Sequence, residues 1–203
     1  IFTPGLVQRN TPHEKTWFGL GALEPSMSER VWEIEVLLNN VGNVSISQNI
    51  ISAKWMKLVI NAMCLGPLAM LGLTLYEAVK MPGLREFVLK AGMEALTVGQ
   101  ERGYTVEPIF GLKAEDVTDT NRLLETLFNK LAADIGPVAR DCVLQDHLKG
   151  RYSEVDLING LVAYEGMQIG RPAPVNAVVT AITQRIRTGE LKPEPSNLDL
   201  ALV

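Results

Sequence analysis

Two rhythms of apolar and polar residues divide this chain. Up to residue 47, short apolar runs alternate with polar turns. From Asn49 onward apolar residues return every three or four positions. In the first stretch, Thr16-Trp17-Phe18-Gly19-Leu20-Gly21 reads as a strand, and Val44-Ser45-Ile46-Ser47 alternates as a second one. Between them Ser26 or Ser28 can cap a helix running to about Asn39, with Val31, Ile34, Leu37 and Leu38 as its apolar stripe. Ile1 to Arg9 adds a short extended segment punctuated by Pro4-Gly5, and His13 falls in a polar, solvated turn. These elements form the end of an α/β sheet and cannot close a core by themselves.

The second rhythm predicts helices almost without interruption. The first covers about 50–65, and Gly66-Pro67 should kink or break it before helix resumes over about 68–80. Pro82-Gly83 opens a helix that ends near Arg102-Gly103, and 104–118 is an irregular connection. Asp119 or Thr120 caps a helix carrying Leu123, Leu124, Leu127, Phe128 and Leu131, broken by Gly136-Pro137. Residues 138–148 form a short helical stretch, Ser153 caps a helix over 154–168, and Pro174 or Val175 starts the last one, which stops at Thr188-Gly189. Residues 191–203 read as a loose tail, so the expected division is 1–48, 49–190 and 191–203.

One helix carries candidate chemistry. In Lys54-Trp55-Met56-Lys57-Leu58-Val59-Ile60-Asn61-Ala62-Met63-Cys64-Leu65, a turn of 100° per residue puts Lys54, Lys57, Asn61 and Leu65 on one stripe. Most other positions are apolar, the mark of a buried helix. The Lys57 ammonium must then reach solvent, meet an anion or line a polar cleft. With Asn61 one turn on, the pair suits a polar, anionic ligand; snorkelling to water is the plainer alternative. Glu154 sits at a predicted helix start, where the helix dipole favours a carboxylate for purely structural reasons too. His147 has no partner at a catalytic spacing.

Composition narrows the classes. The 203 residues are 47% hydrophobic and 21% charged, the balance of an ordinary folded protein. A net charge of −4 without any basic run argues against nucleic-acid binding. No apolar run reaches the ~18 residues of a membrane span. Cys64 and Cys142 lack metal-ligand spacing, so no metal is expected, and they read as reduced core thiols of a cytoplasmic protein. The chain opens on Ile rather than Met, without a signal peptide, as if it began inside a larger protein.

Two stretches taken together carry a resemblance. They are Trp55-x-Lys57-Leu58-x-x-Asn61-Ala62 with Pro67-Leu68, and Gly150-Arg151-x-Ser153-Glu154-Val155-Asp156-x-Ile158-Asn159-Gly160 with Gly166 and Gly170-x-x-Ala173-Pro174-Val175-Asn176. This pair, with Lys57 and Glu154 about 97 residues apart, resembles the C-terminal domain of the ketopantoate reductase (2-dehydropantoate 2-reductase) family. Pro4-Gly5 and Phe18-Gly19 resemble the last strands of its cofactor domain. The resemblance implies a mainly α fold: a helical dehydrogenase C-terminal domain of the 6-phosphogluconate dehydrogenase type, preceded by a short remnant of a Rossmann sheet. It implies NADPH, held mainly by a part absent from this chain, since no GxGxxG follows a strand here. The chain alone is then expected to be inactive.

The resemblance also implies roles. Lys57 falls on a lysine that protonates the carbonyl oxygen as hydride arrives, Asn61 on a substrate-binding asparagine, and Glu154 on a glutamate that positions cofactor and reacting groups. Three positions depart from the pattern: Leu65 replaces a second asparagine, Cys142 a serine in the substrate set, and Tyr76 a further asparagine. The expectation is a small 2-keto acid as substrate, ketopantoate or another, with a homodimer through the helical domain as an open arrangement. The competing reading is a non-catalytic dimerisation or ligand-binding module, for which the Leu-rich helix at 121–131 would supply apolar surface.

Overall fold

The computed structural model describes residues 4–6, 9, 11–135 and 139–202. The Gly136-Pro137 break and most of the Ile1 to Arg9 segment lie outside the described residues. The chain divides into two compact units. One comprises residues 1–54 and 106–117, the other 55–105 and 118–203.

The first unit is a β–α–β turn of the chain. Strand β1 (Trp17–Leu20), helix α1 (Ser28–Leu38) and strand β2 (Asn43–Ile46) follow in order, and the strands pair in parallel, Trp17 against Asn43 and Leu20 against Ile46. A parallel pair needs a crossover, and α1 supplies it. Trp17 Nε1 donates to Ser45 Oγ across the pair at 2.8 Å, and its ring packs on Phe110 with centroids 5.6 Å apart. Neither expected serine caps α1: its N-cap is Met27, and Ser28 Oγ donates back to the Pro25 carbonyl. No residue of α1 is buried. Its predicted stripe faces solvent in part, with Ile34 45% and Leu37 68% exposed. A short 3-10 helix, Ala114–Val117, is the regular piece of the expected irregular connection. Helix α2 (Ile50–Cys64) starts in this unit, where Asn49 Oδ1 accepts from the Ser52 amide at 3.1 Å as an N-cap.

The second unit is helical throughout. After α2 come α3 (Gly66–Met70), α4 (Leu75–Ala78), α5 (Leu84–Glu101), α6 (Thr120–Asp134), α7 (Cys142–Leu148), α8 (Asn159–Gln168), α9 (Pro174–Arg187) and α10 (Asn197–Leu202). Its core holds Met56, Met63, Leu71, Leu84, Leu96, Leu123, Leu124, Leu127 and Leu144, all at most 2% exposed. The expected helix over 68–80 is two helices. Gly72 has φ +70°, a left-handed turn that ends α3, and Thr74 restarts the chain with a capping box to Glu77. The expected loose tail is also corrected. Asn197 and Leu198 are buried, and Asn197 Nδ2 donates to the carbonyls of Met70 and Lys192, each at 2.8 Å. The Leu-rich helix spends Leu123, Leu124, Leu127 and Phe128 on the core, with Leu131 half-buried at its end. No described helix is long and apolar enough to cross a membrane.

Candidate functional site

Helix α2 orders its side chains as its periodicity predicts. Trp55, Met56, Val59, Ile60, Ala62, Met63 and Cys64 are buried, while Lys57 is exposed and Asn61 and Leu65 are half-buried. Trp55 anchors the helix to α5, its Nε1 donating to the Ala95 carbonyl at 3.0 Å and its ring stacking on Tyr104 with centroids 4.9 Å apart. Lys57 therefore stands on the open stripe of a helix fixed on its other sides. Its side chain makes no hydrogen bond or ion pair with another described residue, and neither does the side chain of Asn61. A cation and an amide left free at one helical turn's spacing can bind an anionic or carbonyl group.

The turn that carries Glu154 leads into Asn159, which bonds the same helix. Asn159 is fully buried, and its Nδ2 donates to the Ala62 carbonyl and to Asn176 Oδ1, each at 2.9 Å. Asn176 in turn donates from Nδ2 to the Ala91 carbonyl at 3.0 Å and to Glu94 Oε2 at 2.7 Å. Glu94 also accepts the Val175 and Asn176 amides at the start of α9, both at 3.0 Å. This network ties the starts of α8 and α9 to α2 and α5. Gly66 is required for it: a Cβ there would collide with Asn159 Oδ1. The 3-10 turn Glu154–Leu157 runs directly into α8, so it is placed by the same contacts. Lys57 precedes Ala62 by about 7.5 Å along the helix axis, at 1.5 Å per residue.

The approach to Glu154 corrects an expectation. Ser153 does not cap a continuous helix; its hydroxyl lies 3.4 Å from His147 Nε2, while His147 Nδ1 lies 3.2 Å from the Ala69 carbonyl. A hydrogen on Nδ1 satisfies the carbonyl and leaves Nε2 to accept from Ser153. Partial burial lowers the His147 pKa and favours that neutral ring. Asp156 closes the other side of the turn, accepting from Arg187 at 2.8 Å and from Gln184 at 3.0 Å.

The two cysteines differ, which corrects their reading as a pair of core thiols. Cys64 is buried at the end of α2, and burial, with a smaller push from Asp141, raises its pKa to about 12. Cys142 is exposed at the start of α7, its thiol raised by partial burial and then by the charges of Asp141 and Glu154. Cys142 thus lies within electrostatic reach of Glu154. Asp141 caps α7, accepting the Leu144 amide at 2.8 Å, and burial pushes its own carboxyl up to about 6. Tyr76 is 45% exposed, with Lys80 Nζ 3.8 Å from its ring centroid.

The first unit holds a separate hollow of about 380 Å³, lined by Ala22, Glu24, Ser28, Trp32, Ser47 and Gln48 among others. Residues 22–25 follow β1 and residues 46–48 end β2, so the hollow opens at the carboxyl ends of the parallel strands. That is where open α/β sheets bind ligands. Sequence reasoning passed over these residues, although the polar pair Ser47-Gln48 after a strand was the available signal.

Comparison with known proteins bears on both units. Residues 49–187 match the family described as ketopantoate reductase PanE/ApbA C terminal. The 2-dehydropantoate 2-reductases of Streptococcus pyogenes serotypes M3 and M1 are 27% identical over 188 residues, covering 90% of this chain and 56% of theirs. The PanE/ApbA family ketopantoate reductase of Ralstonia eutropha JMP134 superposes with a TM-score of 0.66 at 20% identity, over 88% of this chain and 53% of that one. A D-mandelate dehydrogenase solved with NADH and anilino(oxo)acetate superposes with a TM-score of 0.72 at 17% identity, over 85% of this chain and 53% of that one. At such identities the structures establish the fold. This chain spans about half the length of the curated relatives it matches. On the family match over 49–187, it belongs to the ketopantoate reductase family, whose helical C-terminal domain it carries.

Proposed function

We propose that the protein carrying this chain is an NADPH-dependent reductase of a small 2-keto acid, and that the helical unit supplies its substrate and catalytic groups. The observation that carries this reading is the open stripe of α2, where the Lys57 and Asn61 side chains have no partner among the described residues, on a helix whose other sides are packed into the core. Family membership supports it, as does the curated relatives' description as 2-dehydropantoate 2-reductases. Residues 1–48 serve as the end of a cofactor domain. The hollow at the strand ends fits that role, with Ser47 and Gln48 as polar groups that would face a bound nicotinamide dinucleotide.

When bound, that dinucleotide supplies the hydride. The chain's residues do the rest. The Lys57 ammonium points its proton at the keto oxygen and stabilises the charge that develops there. Asn61, one turn away, holds the substrate by hydrogen bonds. Glu154 keeps the reacting groups in register on a turn braced by Ser153–His147 and Asp156–Arg187. The same reading puts the protein in the cytoplasm, with self-association through the helical domain.

The test is turnover of the full-length enzyme with reduced nicotinamide cofactor and a panel of 2-keto acids. Lys57→Ala is expected to lower kcat by at least ~100-fold, with unchanged thermal stability because the side chain is exposed. Near-normal turnover in that variant would remove Lys57 from the mechanism.

A further inference from the structure

The turn that carries Glu154 is tied down on both of its sides. After it, the buried Asn159 donates to the Ala62 carbonyl at 2.9 Å, near the end of α2. Before it, the Ser153 hydroxyl lies 3.4 Å from His147 Nε2, and His147 Nδ1 lies 3.2 Å from the Ala69 carbonyl. Ala69 belongs to α3, which follows α2 after the single residue Leu65. Both tethers therefore end on the stretch of chain that carries Lys57 and Asn61. Asp156 holds the same turn to α9, through Arg187 and Gln184.

The tether through His147 follows from how two helices end. Helix α7 closes with the Gly150 amide donating to the His147 carbonyl at 3.1 Å and the Arg151 amide to the Asp146 carbonyl at 2.8 Å. Gly150 has φ +63°, the left-handed residue this closing pattern needs. The chain reverses there and brings Ser153 back to the ring of the helix it has just left. Helix α3 stops before Gly72, so its last carbonyls lack helical donors, and Ala69 can take the ring N–H. A neutral ring that meets a carbonyl at Nδ1 must carry its hydrogen there. Nε2 is then left to accept from Ser153.

We propose that His147 is a positioning residue for Glu154: its ring, with the hydrogen on Nδ1, fixes the front of the Glu154 turn to the end of α3 through Ser153. The inference rests on the reductase reading and adds to it a residue that touches no substrate. Asn159 lies five residues beyond Glu154, whereas Ser153 is its immediate neighbour. The Ser153 bond thus sets where the glutamate side chain begins. Without it the segment after Gly150 gains freedom, and the carboxylate moves relative to Lys57. A displacement of about 1 Å is enough to slow a reaction that depends on alignment.

The experiment is a double-mutant cycle in the full-length enzyme, reading kcat and KM with a 2-keto acid it reduces. His147→Leu is expected to lower kcat by about 10-fold and to leave KM within about 2-fold. Ser153→Ala gives the same loss, and Ser153→Thr, which keeps the hydroxyl, retains the parental rate. In a Glu154→Ala background His147→Leu has no further effect, because no carboxylate is left to place. An equal loss in both backgrounds would make His147 a general stabiliser of the fold and overturn the proposal. Parental kcat in His147→Leu, with Glu154→Ala slow, would overturn it and leave the reductase reading standing. Parental turnover in Glu154→Ala would overturn the proposal together with the role of Glu154 in that reading. A readout independent of turnover is the long-range proton–nitrogen correlation spectrum of the labelled full-length protein at about pH 8, with His147→Gln assigning the signal. A hydrogen on Nδ1 is expected. A hydrogen on Nε2 would overturn the tether even in a protein that reduces no 2-keto acid.

Discussion

Helices α1 and α6 are written in the same pattern and end in opposite environments. In α1 the stripe Val31, Ile34, Leu37 and Leu38 leaves no residue buried, and Leu37 is 68% exposed. In α6 the stripe Leu123, Leu124, Leu127 and Phe128 is at most 3% exposed. Periodicity states which face of a helix gains from burial; it does not supply the partner. Helix α6 finds its partners among the helices of its own unit. Helix α1 has a two-stranded sheet of four-residue strands, too small to cover it. The contrast agrees with the proposed division of labour, in which the helical unit is self-contained and the β–α–β unit belongs to a larger sheet.

The strongest way to break that contrast is in the α6 core. Leu127→Ala should cost about 2–5 kcal/mol in denaturant unfolding, because the cavity it leaves is lined by residues already packed. A cost below ~1 kcal/mol would show that this core is looser than described.

A middle-sized effect comes from a polar group the helical unit buries. Asp141 caps α7, yet burial raises its pKa from 3.8 to about 6. A folded pKa above the unfolded one means that the neutral form is favoured in the folded state. Stability from this group is therefore full below about pH 4 and is lost as pH rises through about 6. Asp141→Asn keeps a capping oxygen and removes the charge. It should stabilise the protein by roughly 1–2 kcal/mol at pH 8 and by little at pH 4. Equal effects at both pH values would show that Asp141 is not titrating in this window. His147 works in the other direction. Its lowered pKa gives stability that is full above about 6.5 and is lost as pH falls below that value. A His147→Gln variant separates the two slopes.

The smallest effect sharpens the comparison most. Leu37→Ala in this chain should change stability by less than ~0.5 kcal/mol, since the side chain is mostly in water. The same substitution in the full-length protein should cost more if further sheet covers α1. Equal small effects in both would leave α1 a solvent-facing helix in the whole protein.

Much of the helical unit was legible because its signals are local. The spacing of apolar residues in α2, α5 and α9, the Pro at the start of α9 and the glycine after its end need no distant partner. What was misread depended on contacts far along the chain. Ser153 looks like an N-cap until His147 claims its hydroxyl, and 192–203 looks loose until Asn197 is seen bonded to Met70, 127 residues away. The open stripe of Lys57 and Asn61 was readable for the first reason. The hollow at the strand ends left only the faint signal of Ser47-Gln48 after a strand, because it exists only once β1 and β2 pair in parallel.

The most direct measurement is a crystal structure of the full-length enzyme with the oxidised dinucleotide and a 2-keto acid. Lys57 Nζ within about 3 Å of the keto oxygen, with Asn61 bonded to the same substrate, is the predicted result. A substrate seated away from the open face of α2, with Lys57 in bulk water, would contradict the account.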